Sequence, residues 1–177
     1  MSNWTSTYLD LLDDLRNADP DRSVFGSECH QYKLNPPICQ SQLSDVETRY
    51  NCQFPTEYRR YLLEIADGGA GPGLGIYSLA KALELFDSRR DFPFESEYAF
   101  YPPGNGRYSW DDMNSGTLVL SHYGCSMFAL LVVRGVSASQ IWYDGEDRCK
   151  PLATSFSKWV LNWVASALDR VRAQDGG

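Results

Sequence analysis

The sequence predicts an α+β fold: a mostly antiparallel sheet of about four to six strands, flanked by N-terminal helices and a long C-terminal helix. Two observations carry this. Residues 116–121 and 126–134 are apolar runs joined by the short connection His122-Tyr123-Gly124-Cys125, the pattern of an antiparallel hairpin. Near the C-terminus, Phe156, Trp159, Val160, Trp163, Val164, Ala167, Leu168 and Val171 recur at steps of three and four, so one face of a helix is apolar throughout.

The remaining elements follow in chain order. Residues 5–17 read as an amphipathic helix with Tyr8, Leu11, Leu12 and Leu15 on one face, Thr5 or Ser6 as cap and Asp19-Pro20 as its end. Gly26 and Pro36-Pro37 punctuate an irregular stretch in which residues 31–34 suit a short edge strand. A second helix fits 41–50, with Leu43, Val46 and Tyr50 inward; Ser44 and Glu47 suit a capping box, and Ser41 is the alternative start. A third helix begins with Pro55 in its first turn, buries Tyr58, Tyr61, Leu62 and Ile65, and stops at Gly68-Gly69. Strands are expected at 74–79, 116–121, 126–134 and 140–144, with a short helix at 80–86 and a long ordered loop over 87–114. Residues 128–133 are apolar on both faces and call for a central, covered strand. Thr154 or Ser155 caps the last helix, and residues 174–177 should fray. No linker or repeat divides the chain, so residues 1–177 are expected to form one domain with a core over about 24–168.

Composition narrows the function. Hydrophobic residues make up 43% and charged residues 22% of the 177, as in globular proteins that fold alone. A net charge of −7 argues against nucleic acid and anionic membranes, and suits either a basic protein partner or mere solubility. Aromatics at 14% are generous, and those that do not fit the core are available for a recognition surface. Five cysteines with no C-x-x-C pair, no basic n-region with an apolar h-region at the start, and a longest apolar run of only 127–133 together predict a soluble, cytoplasmic chain with reduced thiols.

Motifs for chemistry are weak. The run Gly68-Gly69-Ala70-Gly71-Pro72-Gly73-Leu74-Gly75 lacks the Lys-Ser/Thr of a phosphate loop and follows a helix into a strand, the reverse of the required order, so it reads as a structural turn. His122 with Cys125, and Cys29 with His30, are half-pairs far apart in sequence, short of the ligands zinc needs or the triad a nucleophile needs. No catalytic set, cofactor or metal is expected. Two stretches place large rings beside carboxylates: Tyr108-Ser109-Trp110-Asp111-Asp112 and Trp142-Tyr143-Asp144-Gly145-Glu146-Asp147. Such acids are either solvated loop charges or a rim for a basic partner, and the rings are either core or hot-spot residues. Trp142 sits inside a strand and reads as core, with Tyr143 pointing the other way.

The ordered set of segments is similar to the SUKH superfamily, in the branch shared with fungal cell-wall regulators of the Smi/Knr type. It comprises His30-Gln31-Tyr32-Lys33-Leu34-Asn35-Pro36-Pro37, then Phe54-Pro55 with Glu57-Tyr58 and Tyr61-Leu62-Leu63, then the glycine run with Ile76-Tyr77-Ser78-Leu79. His122-Tyr123-Gly124-Cys125, Leu131-Val132-Val133, Ile141-Trp142-Tyr143-Asp144 and Phe156 with Trp159 to Trp163 continue it, so the resemblance covers about 24–168. One departure is Val136-Ser137-Ala138-Ser139, where many relatives have glycine, which predicts a wider turn. The resemblance implies an immunity protein that occludes the active or substrate-binding surface of a cognate toxin, often a nuclease, in a one-to-one complex without chemistry of its own. A regulatory scaffold like the fungal relatives is the alternative, and a Cys/His hydrolase using His122 and Cys125 a third. Because toxin-binding surfaces differ between members, the contact candidates come from the aromatic–acidic stretches alone: Trp110, Asp111, Asp112, Tyr143, Asp144, Glu146 and Asp147.

Overall fold

The hairpin that anchors the prediction forms, and it is longer than its apolar pattern. The computed structural model describes residues 3–100, 108–145 and 147–175. Strand β2 (Thr117–Gly124) pairs antiparallel with β3 (Met127–Val132). Cys125 and Ser126, at φ 48° and 59°, make the turn. Two consecutive left-handed residues match the strands' twist, so the turn tightens to two residues and draws His122 and Tyr123 into β2. β4 (Ile141–Asp144) joins β3, β5 (Arg148–Ala153) joins β4, and β1 (Tyr98–Ala99) closes the edge, giving the order β1-β5-β4-β3-β2, antiparallel throughout. Neither β1 nor β5 is visible in the sequence pattern. β1 has two residues, and β5 buries only Cys149, so neither carries an apolar alternation.

The sheet is covered on both faces. Leu118, Leu120, Ala129, Leu131 and Ile141 face a large core shared with the helices. Leu130, Val132, Trp142 and Cys149 face a smaller core completed by Phe92, Phe94 and Met113. The expected long loop is therefore a second covering layer, holding β1 and a 3-10 turn at Trp110–Asn114. The wide turn expected between β3 and β4 occupies residues 133–140 and is tied to that layer by Ser137 Oγ, which donates to Phe94 O at 2.9 Å.

Helix α1 (Trp4–Ala18) buries Trp4, Tyr8, Leu12 and Leu15 and packs along the C-terminal helix α6 (Phe156–Asp175). In between lie α2 (Ser27–His30), α3 (Gln40–Arg49), α4 (Thr56–Arg60), which continues as a π turn Tyr61–Ile65, and α5 (Leu79–Ala82). Three local expectations are corrected. Residues 31–34 form no strand, since Gln31 and Tyr32 are left-handed at φ 51° and 55° and only Leu34 bridges to Gly69. α3 starts before Ser44, with the Gln42 side chain accepting from Cys39 N at 2.9 Å, so Ser44–Glu47 is not its capping box. Residues 74–79 form no strand either, because Gly73 and Gly75, at φ 65° and 107°, break the extended run. That segment still closes the outer edge of β2, with Leu74 N donating to His122 O and Tyr77 N to Leu120 O.

The glycine run is the structural turn expected of it. A Cβ on Gly73 would stand 2.6 Å from His122 O, and one on Gly26 would stand 1.8 Å from Gly73 O. Three stretches of chain thus meet where only glycine fits. Gly26→Ala should destabilise the protein by more than about 1 kcal/mol, since both the positive φ and the collision oppose it; thermal melts of the purified variant test this. The tyrosines offer a second check. Tyr8 OH donates to Ala70 O at 3.0 Å, whereas the buried hydroxyls of Tyr58 and Tyr61 have no hydrogen-bond partner among the described residues. In urea titrations Tyr8→Phe should cost about 1 kcal/mol, while Tyr58→Phe and Tyr61→Phe should be neutral or stabilising.

Candidate functional site

Strand alternation divides the aromatic–acidic candidates between the two faces of the sheet. In β4, Ile141 faces the large core and Trp142, fully buried, the smaller one. Tyr143 then falls on the helical side, and Asp144 on the side of Trp142. Tyr143 has the Lys150 ammonium 5.7 Å from its ring centroid and lines a shallow groove with Tyr123, Arg148 and Leu152. Asp147, on the rim of that groove, is exposed and accepts from Arg148 at 2.6 Å, which holds its carboxyl below the usual range. Glu146 lies outside the described residues.

The other stretch divides as well. Trp110 opens the 3-10 turn, and its side chain lies outside the described residues. Asp112 is committed to structure: it accepts from Ser109 N at 2.7 Å and from Arg90 at 3.1 Å, fixing the start of the turn. Asp111 instead lines a groove of about 420 Å³ that also contains Asp144. The structure therefore unites Asp111 with Asp144, and separately Tyr143 with Asp147.

That groove lies between α5 and the sheet. Lys81 and Glu84 pair at 2.6 Å on one wall, and the Lys81 ammonium stands 6.0 Å from the Tyr77 ring centroid. Leu85, 61% exposed, forms part of the rim. Val119, Phe128 and Met113 supply the apolar remainder. Asp144 is half-buried, and desolvation pushes its carboxyl up to about 6. Apart from Asp111 and Asp144, none of the groove's residues was a sequence candidate. The parity of Phe128 with Leu130 and Val132 was readable, but Tyr77 and Leu85 reach the groove only because residues 74–77 edge the sheet and α5 ends at Ala82.

The histidine and cysteine half-pairs stay apart. His122 stacks on Phe128 at 4.8 Å, and no hydrogen bond joins it to Cys125, exposed in the turn. His30 is buried against Tyr32 and Trp163; its Nδ1 accepts from Tyr32 N at 3.1 Å, and burial lowers its pKa to about 4. Among the described residues no group of three or more His, Cys, Asp or Glu is placed to hold a metal ion.

Against this geometry, residues 37–162 match the SMI1 / KNR4 family (SUKH-1). The chain belongs to that family. No curated protein matches it in direct comparison. The SUKH-1 match takes in the five strands, the glycine run and the groove, whereas α1 precedes it. Among the described residues, no helix of this SUKH-1 protein is long and apolar enough to cross a membrane.

The titrating groups act in opposite directions. Below its unfolded value of about 6.5, His30 binds a proton more readily in the unfolded chain, so its contribution falls as pH drops toward 4. Burial alone would raise the Asp19 carboxyl, but hydrogen bonds from Tyr32, Ser23 and Val24 hold it below 3.8, so its contribution is lost only at lower pH still. Asp144 does the reverse, because its charged form burdens the native state above about pH 6 and its neutral form does not below 3.8. Asp144→Asn should therefore raise the melting temperature by a few degrees at pH 7.5 and change it little at pH 3.5; calorimetry at the two pH values decides.

Proposed function

We propose that this chain is an immunity protein that binds and neutralises a cognate toxin by covering its active or substrate-binding surface. The observation that carries the reading is membership of the SUKH-1 family across residues 37–162. A net charge of −7 supports a basic partner, such as a nuclease, because complementary fields speed encounter and exclude wrong partners. Protection by contact places the chain where the toxin acts, in the cytoplasm, as a single domain in a one-to-one complex. The contacts fall around the end of the β4–β5 hairpin and the 3-10 turn: Asp111 and Asp144 on one face, Tyr143 and Asp147 on the other, with Trp110, Asp112 and Glu146 alongside in sequence.

The deciding experiment mixes the purified chain with the product of its genomic neighbour. A stable one-to-one complex that suppresses the toxin, with an association rate that falls as salt rises, is the expected result. Absence of both binding and suppression overturns the proposal. Asp111→Lys should slow association about tenfold without lowering the melting temperature. Asp112→Lys should lower the melting temperature as well, since it removes the acceptor for Ser109 N and Arg90.

A further inference from the structure

We infer that the groove between α5 and the sheet seats a lysine or arginine side chain of the partner protein, its charged end against Asp144 and its methylenes along Leu85 and Val119. The inference rests on the binding role proposed above and names the chemistry that meets this part of the surface.

The first support is that the Asp144 carboxylate is uncommitted among the described residues. Asp87, Asp112, Asp147 and Glu84 each face an arginine or lysine within 3.1 Å. The Asp144 carboxylate has no hydrogen bond or ion pair among the described residues, although it sits at the half-buried end of β4 opposite Phe128 and Cys149. A carboxylate kept there unpaired costs stability, and a cation from outside would offset that cost.

Charge and shape then select the occupant. Lys81 and Glu84 cancel one another, which among the described residues leaves the Asp111 and Asp144 carboxylates to set the groove's sign. Anions are thereby excluded. A purely apolar side chain would remove water from Asp144 and return nothing. Long basic side chains fit both features, since their stems cover apolar surface while the head reaches charge. The aromatic wall is suited to a cation as well, as Lys81 over Tyr77 already shows. A volume of about 420 Å³ leaves room for such a side chain with part of its neighbour.

Among the described residues, the charged and titratable groups facing Asp144 are few. Lys81 and Glu84 come from α5 and the residues after it, and Asp111 from the 3-10 turn. Cys149 lies opposite on β5, its thiol pushed up to about 12, chiefly by burial, and His122 lies beyond Phe128 on β2. Since Asp144 loses its proton near pH 6, the groove should gain its hold on a cation between about pH 5 and 7.

Titration of the full chain with Nα-acetyl-arginine amide and Nα-acetyl-lysine amide, followed by amide NMR shifts, tests this. Saturable shifts at Tyr77, Phe128 and Asp144 at pH 7.5 are expected, weakened at least fivefold by Asp144→Asn and at pH 5. Nα-acetyl-norleucine amide, which keeps the stem without the charge, should bind at least fivefold more weakly than either. Equal binding of the uncharged probe, no effect of Asp144→Asn in a variant that melts no lower than the parent, or binding of spermidine but of neither amide would each overturn the inference. In the partner assay, a complex undiminished by Asp144→Asn sinks the groove contact and leaves the immunity role standing. Failure of the unmodified chain to bind sinks the immunity role, and the amide titration then decides the groove's cation binding separately.

Discussion

Burial of β3 and β4 on both faces is the constraint on which the rest of the architecture depends. Leu131 and Ile141 point into the helical core, and Leu130, Val132 and Trp142 into the smaller one, so neither strand can shift register by one residue without exchanging two cores of different shape. The large helical core lies on one side of the sheet. The other must be closed by something else, and the segment that precedes β2 supplies Phe92, Phe94 and Met113 for that purpose. The stretch expected as a long ordered loop is thereby anchored to the sheet through these three side chains.

The same alternation distributes function. Once Trp142 is committed to the smaller core, Asp144 must follow it to that face, and Tyr143 must go to the other. Asp144 then stands where β4 emerges from the core, too far out for aromatic neighbours to cover it fully and too far in for water to solvate it freely. Asp111 comes to the same groove from a turn whose geometry is fixed by its neighbour Asp112. Two adjacent aspartates therefore do different work: one holds the backbone, the other faces outward.

Much of this was legible in the residues. The apolar run 128–133 announced a covered strand, the three-and-four spacing after Ser155 announced α6, and Pro55 with Gly68-Gly69 bracketed α4 and its π turn. What was missed is where the signal is carried by backbone or by distant partners. β5 leaves most of its side chains in solvent, and β1 is two residues long, so neither writes a pattern. Residues 74–79 have the composition of a strand, yet glycines in left-handed conformations turn them into an edge cover joined by isolated bridges.

The candidate acids were visible as residues but not as a site. Composition and order alone determined an acidic α+β chain with aromatic–acidic stretches, and a succession of motifs that resembles the SUKH superfamily in its Smi/Knr-like branch. Tertiary structure decided which acids are spent on ion pairs, which share a groove, and which of them has no side-chain partner among the described residues. The physical reason is that a carboxylate's availability depends on what stands across from it in space, and for Asp144 those neighbours include residues of α5, the 3-10 turn, β2 and β3, all separated from it along the chain.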